Sequence, residues 1–132
     1  MIVDSSALVA ILLQEPDAAT FAEALAVVRF KGLSAASYVE TALVIDAKRD
    51  PVATRQLDNL ITRSSIQIEP FTAEQAKIAR QAHRDFGRGS GHRARLNFGD
   101  CMTYALVKVT GQPLLYKGDD FGHTDVRSAL QS

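Results

Sequence analysis

Met1-Ile2-Val3-Asp4-Ser5-Ser6-Ala7-Leu8 is the stretch on which the fold turns. The apolar run Met1 to Val3 suits a short buried strand, and Asp4 ends it. Ser5 or Ser6 then caps a helix that carries Ala7, Leu8, Ile11 and Leu12 on one side. A strand that passes straight into a helix through an acid is the opening of an α/β unit, and the rest of the chain repeats the alternation.

Glu15-Pro16-Asp17 interrupts the first helix, and Ala18, Phe21, Leu25 and Val28 space a second from about Asp17 to Val28. Lys31 to Ser34 reads as a weak strand. A helix is predicted from about Ala35 to Lys48, its start carrying the capping-box pattern Ser37-x-x-Glu40. Asp50-Pro51 ends that helix and opens another, with Pro51 in the favourable first turn. Ile66-Gln67-Ile68-Glu69 alternates like a half-buried strand, and Thr72-x-x-Gln75 is a second capping box, opening a helix to about Phe86. Gly87, Gly89 and Gly91 predict a mobile loop. Asn97 caps a helix holding Cys101, Tyr104, Ala105 and Val109, which stops at Gly111. Pro113 to Tyr116 is the last strand, and the tail from Asp125 is expected to add a short edge. The pattern predicts an α/β sandwich, a mostly parallel central sheet flanked by helices.

In such folds the functional crevice lies outside the carboxyl ends of the strands. Asp4 and Asp119 fall at those ends of the first and last strands, Glu40 lies in an early helical turn after the second, and Asp100 lies near a helix N-terminus that can face the same edge. Each acid has a local reading when taken alone. Asp4 is a helix N-cap, Glu40 and Asp100 are capping-box acids, and Asp119 and Asp120 beside Gly118 are turn residues. If the four segments converge, however, their like charges require a cation, and carboxylates without histidine or cysteine ligand spacing suit Mg²⁺ or Mn²⁺.

The chain of 132 residues is 46% hydrophobic, which is one domain's worth over residues 1–132 and enough for a core without staples. No basic segment followed by a long apolar stretch opens it, and no window approaches a membrane span. The single cysteine, Cys101, forms no intrachain disulfide and reads as a small packed residue; the expectation is a reduced, cytoplasmic protein without membrane association. A formal net charge of zero gives no global pull toward nucleic acid, yet Lys77, Arg80, Arg84, Arg88, Arg93 and Arg95 face only Asp85 in their own stretch.

The four acidic motifs, in order, resemble those of PIN-domain ribonucleases, and more narrowly of the VapC toxins of bacterial toxin–antitoxin pairs. Met1-Ile2-Val3-Asp4-Ser5-Ser6-Ala7 is similar to their opening, and Tyr38-Val39-Glu40 to their second acidic motif. Asn97-Phe98-Gly99-Asp100-Cys101-Met102-Thr103-Tyr104-Ala105-Leu106 is similar to the third, and Leu114-Leu115-Tyr116-Lys117-Gly118-Asp119-Asp120-Phe121 to the fourth. The resemblance runs essentially the whole chain. It implies a PIN-like three-layer sandwich and a metal-binding, catalytic quartet of Asp4, Glu40, Asp100 and Asp119. Ser6 would support the first carboxylate, Asn97 would aim the Asp100 helix, and Asp120 would substitute for or partner Asp119. Lys117 departs from the family, many of whose members carry Thr or Ser there.

The resemblance further implies a Mg²⁺-dependent endoribonuclease (Mn²⁺ also serving), held inactive by a small cognate antitoxin and forming a homodimer. Arg84, Arg88, His92, Arg93 and Arg95 are the candidate contacts to the RNA backbone, since phosphate contacts position a substrate without reading it. Two rivals stand beside this reading. A phosphotransferase with an aspartyl nucleophile of the haloacid-dehalogenase type wants a second Asp where the chain has Ser6. A noncatalytic PIN-fold RNA- or partner-binding protein predicts erosion of the acids, and none of the four is lost.

Overall fold

Alternate residues of the short strands point to opposite faces, and each face is covered by its own set of helices. In the computed structural model, residues 1–130 are described. The order is β1 (Ile2–Val3), α1 (Ser5–Leu12), α2 (Ala18–Val27), β2 (Gly32–Ser34), α3 (Ala35–Asp46), α4 (Pro51–Arg63), β3 (Gln67–Glu69), α5 (Ala73–Phe86), α6 (Phe98–Thr110) and β4 (Leu114–Leu115), then a 3₁₀ turn at Phe121–His123. The sheet runs β3-β2-β1-β4, and every pairing within it is parallel. Val3, Leu33 and Leu115 join one core with Leu8, Phe21, Leu25 and Leu57, while Ile2 and Leu114 join another with Ala79, Leu96, Tyr104 and Leu106. Two apolar cores on either side of one sheet make the expected three layers.

The chain steps outward from β1 through β2 to β3, then returns to place β4 on β1's other side. The reversal falls between β1 and β4, and at such a switch point the connections leave in opposite directions and open a crevice at the strand ends. Asp4 stands at the end of β1 in that gap.

Several sequence expectations are corrected. The Ser37-x-x-Glu40 capping box does not form: β2 runs directly into α3, so Ser34 is the N-cap, accepting from the Ala36 N–H, and Ser37 and Glu40 face other elements. Thr72 does accept from the Gln75 N–H, but the Gln75 side chain turns to the Pro70 carbonyl. Ile66, just before β3, is buried, but Ile68 within it is 45% exposed, because β3 is the sheet's edge. The tail does add its short edge, through a parallel bridge between Leu114 and Ser128. The glycine-rich segment is more closed than a free loop. A Gly87–Leu96 bridge ties its ends, and Ala94 and Leu96 are fully buried.

Candidate active site

Asp4 caps α1 and serves the crevice with the same carboxylate. Its Oδ2 accepts from the Ser6 N–H at 3.0 Å and the Ser6 hydroxyl at 2.6 Å, and its Oδ1 accepts from the Thr103 hydroxyl at 2.7 Å. Behind Thr103 lies Ser37, with the two hydroxyl oxygens 2.9 Å apart. Because the Thr103 proton is committed to a carboxylate, the Ser37 hydroxyl is the donor to Thr103. A buried relay thus runs from α3 through α6 to the end of β1. The local and functional readings of Asp4 coincide, since a capped, fully hydrogen-bonded carboxylate is held in one orientation.

Ser6 links this acid to β4. Its hydroxyl accepts from the Lys117 backbone N–H at 2.9 Å. The departure at Lys117 is therefore accommodated by the main chain, while the Lys117 ammonium turns away to Glu15 at 2.7 Å and Asp17 at 3.0 Å.

Glu40 sits one turn beyond Ser37 on α3, and its Oε1 accepts from the Ser5 hydroxyl at 2.7 Å. Its carboxylate lies so close to Gly99 that a side chain built there would collide with it. Glycine at this position is thus required by the approach of Glu40. Burial pushes the Glu40 carboxyl above its usual value, against the Ser5 hydrogen bond, and the Asp4 charge adds to the rise.

Asp100 forms the capping box that the sequence suggested: its Oδ2 accepts from the Asn97 N–H at 3.0 Å, and Asn97 Oδ1 accepts from the Asp100 N–H at 2.8 Å. The Asp100 carboxyl is raised to about 6, chiefly by burial, which overrides the Asn97 N–H, with Asp4, Asp120 and Glu40 adding to the rise. Asp4, Glu40 and Asp100 are therefore one electrostatic group. The third charge acting on Asp100 belongs to Asp120, which is half-buried on the turn anchored by Phe121; Asp119 is exposed and its carbonyl receives the Gly122 N–H. The motif gives the fourth place to Asp119, while the charge from this turn that raises Asp100 is that of its neighbour Asp120. Among the described residues, no three His, Cys, Asp or Glu stand close enough to chelate an ion by themselves.

Thr103, Ser37 and Gly99 are the site residues that sequence reading missed. The signal was present, because Ser37 precedes Glu40 by three residues and Thr103 follows Asp100 by three, the spacing that puts two side chains on one helical face.

The basic candidates divide. Arg88, Arg93 and Arg95 are exposed around the closed loop beyond α5, and Arg84 lies in the last turn of α5. None is ion-paired among the described residues. His92 is instead part of the loop's own structure, its ring edge-on to Phe86 at 5.0 Å and its Nδ1 accepting from the Ala94 N–H at 3.0 Å.

Comparison with known proteins agrees with this architecture. The PIN domain family pattern matches residues 1–127. The chain is 57% identical over 130 residues to VapC ribonuclease Mb0625 of Mycobacterium bovis and to Ribonuclease VapC28 of Mycobacterium tuberculosis, covering 98% of both chains in each case. It is 50% identical to Ribonuclease VapC42 of Mycobacterium tuberculosis, again over 98% of each chain. The fold matches the crystal structure of Mycobacterium tuberculosis VapC20, titled a sarcin-ricin loop cleaving toxin, with a TM-score of 0.74, 18% identity and 95% coverage of both chains.

Proposed function

Because the chain belongs to the PIN-domain family and, within it, to the VapC ribonucleases, we propose that it is a metal-dependent endoribonuclease acting as the toxin of a toxin–antitoxin pair. The observation that carries this reading is the group formed by Asp4, Glu40 and Asp100, brought from three segments, the first two oriented by hydroxyls and the third by the Asn97 N–H, and paired with no cation among the described residues.

The donors fit a hard divalent ion: all are oxygens, and their mutual repulsion is what a cation relieves. Mg²⁺ binds through one or two carboxylates and keeps several waters, which suits acids that do not close a full cage alone. Asp4 and Asp100 would hold it, with Glu40 and Asp120 or Asp119 ordering its water shell; Mn²⁺ has the same oxygen preference. When bound, such an ion neutralises the scissile phosphate and lowers the pKa of a water. The chain's own residues supply the rest. Ser6 and Thr103 keep both Asp4 oxygens aligned, Ser5 aims Glu40, and the Asn97 cap fixes the first turn of α6 beneath Asp100. Arg84, Arg88, Arg93 and Arg95 would hold the RNA backbone beside the acids.

An inhibitor of this site needs a basic residue that enters the acid cluster and competes with metal, which is the role we assign to a small cognate antitoxin. A homodimer and a cytoplasmic location belong to the same proposal. No helix among the described residues is long and apolar enough to cross a membrane.

The test is a ribonuclease assay on total RNA with Mg²⁺, with Mn²⁺ and with chelator, using Asp4→Asn as control. Cleavage is expected with either ion and lost in chelator or in the variant. Full activity of Asp4→Asn in chelator would sink the mechanism.

A further inference from the structure

Between α5 and the first turns of α6 lies a cavity of about 620 Å³, within the range of sites that take small organic ligands. Phe71, Ala79, Phe98 and Met102 supply its apolar lining, and the exposed Arg80 and Arg84, one helical turn apart on α5, complete it. Phe98 is 78% exposed, the second most exposed large apolar side chain among the described residues, although it opens the helix that carries Asp100. Neither arginine has an ion-pair partner among the described residues. The cavity and the acid cluster share the first turn of α6, for Phe98 and Cys101 line the cavity while Gly99 and Asp100, between them in sequence, meet Glu40 and the other acids.

We infer that this cavity is a nucleobase subsite: one unstacked base of the RNA strand lies on Phe98, and Arg80 and Arg84 hold the adjoining phosphates, so that the base reads the strand beside the bond to be cut. The inference rests on the ribonuclease reading and adds to it a residue that selects where cleavage occurs. An apolar helix of a protein partner would fill the lining but leave two guanidinium groups facing it unpaired. A nucleotide satisfies both features, since every base offers a flat π-face to an aromatic ring and every linkage offers an anion to arginine. The loop arginines contact backbone only and carry no such selection.

Phe98 contributes little to the core, so its replacement leaves the fold in place, which thermal melting verifies. Binding of a short single-stranded RNA is measured by fluorescence anisotropy in the Asp4→Asn background with Mg²⁺, and the oligonucleotide is walked through with one abasic position at a time. Phe98→Ala should weaken binding about tenfold, in the range of one base–aromatic stack, and Phe98→Tyr should restore it. One abasic position should reproduce that loss in the protein that keeps Phe98 and have no further effect in Phe98→Ala. In the Asp4 protein, Phe98→Ala should also broaden the pattern of cut sites. Equal affinity and an unchanged cut pattern, in a protein that still cleaves RNA, overturn the subsite and leave the ribonuclease reading standing. Normal RNA binding with lost capture of the partner encoded beside the gene assigns the cavity to that protein and likewise overturns the proposal. A parent protein that neither binds nor cleaves RNA overturns both readings.

Discussion

The Thr103 hydroxyl donates to Asp4 Oδ1 at 2.7 Å across 99 residues of sequence, and the same hydroxyl receives Ser37. Asp4 is therefore oriented from both sides, by its own helix through Ser6 and by α6 through Thr103. Removing the α6 contact leaves a buried carboxylate oxygen and the Ser37 hydroxyl short of a partner, which costs about 1–3 kcal/mol. Thr103→Val should lose that stability and lower metal affinity or activity by roughly 10- to 100-fold, the usual effect of disturbing a residue that aims a ligand. Thr103→Ser should keep most of both. Mg²⁺ titration of cleavage alongside chemical denaturation separates the two effects; a Val variant with unchanged Mg²⁺ dependence would refute the positioning role.

Gly99→Ala places a methyl group where the Glu40 carboxylate lies. Either Glu40 swings away from Ser5 or the first turn of α6 shifts. The expected result is a folded protein whose cleavage rate falls at least about tenfold, with a stability loss of about 1–3 kcal/mol as in other overpacked sites. Circular dichroism and the cleavage rate together test this, and unimpaired activity would show that Glu40 is dispensable.

The fourth acid is decided by comparing Asp119→Asn with Asp120→Asn. Of these two, Asp120 pushes the Asp100 carboxyl up, so Asp120→Asn should move the Asp100 titration down and lower activity more than Asp119→Asn does. Carbon-detected NMR of the Asp100 carboxyl and parallel rate measurements provide the readouts. A larger loss in Asp119→Asn would return the fourth place to Asp119.

Metal-free stability should carry a pH signature of Asp100. Its folded value of about 6 lies above the ordinary 3.8, so the folded chain holds this proton more readily than the unfolded one. The contribution is fully present below about pH 4 and is lost as pH rises through about 6. Glu40, also raised, acts in the same direction. With chelator present, the melting temperature of Asp100→Asn should gain on the parent as pH rises through this window, by a few degrees at pH 7 for a difference on the order of 1–2 kcal/mol after solvent screening. Saturating Mg²⁺ should narrow the gap. A constant difference from pH 4 to 7 would contradict the assignment.

Arg88 and Arg93 should act through phosphate alone. Arg88→Gln or Arg93→Gln, each in the Asp4→Asn background, should reduce the slope of log affinity against log salt by roughly 0.7 and weaken all single-stranded RNAs about equally. Metal affinity should stay unchanged. Two unaltered slopes would make these arginines solvated loop charges.

What the sequence determined by itself was local in origin. An apolar triplet ending in Asp4, a cap at Asn97 with its acid at Asp100, and glycine at position 111 with φ of 68° each act within a few residues, so helix starts, helix stops and the parallel sheet were legible from spacing alone. The motifs also named Asp4, Glu40 and Asp100, whose charges act on one another in the fold. Tertiary structure decided the partners. Ser37 read locally as a cap because its actual partner, Thr103, lies 66 residues away, and Ser34 took the cap because β2 runs directly into α3. Asp120, half-buried beside the buried Phe121, adds to the rise of the Asp100 carboxyl, whereas Asp119 is exposed. Spacing along a chain fixes which backbone groups find a cap, but which side chains share a proton or a charge depends on how helices from distant segments pack on the sheet, and that is settled only when both cores close.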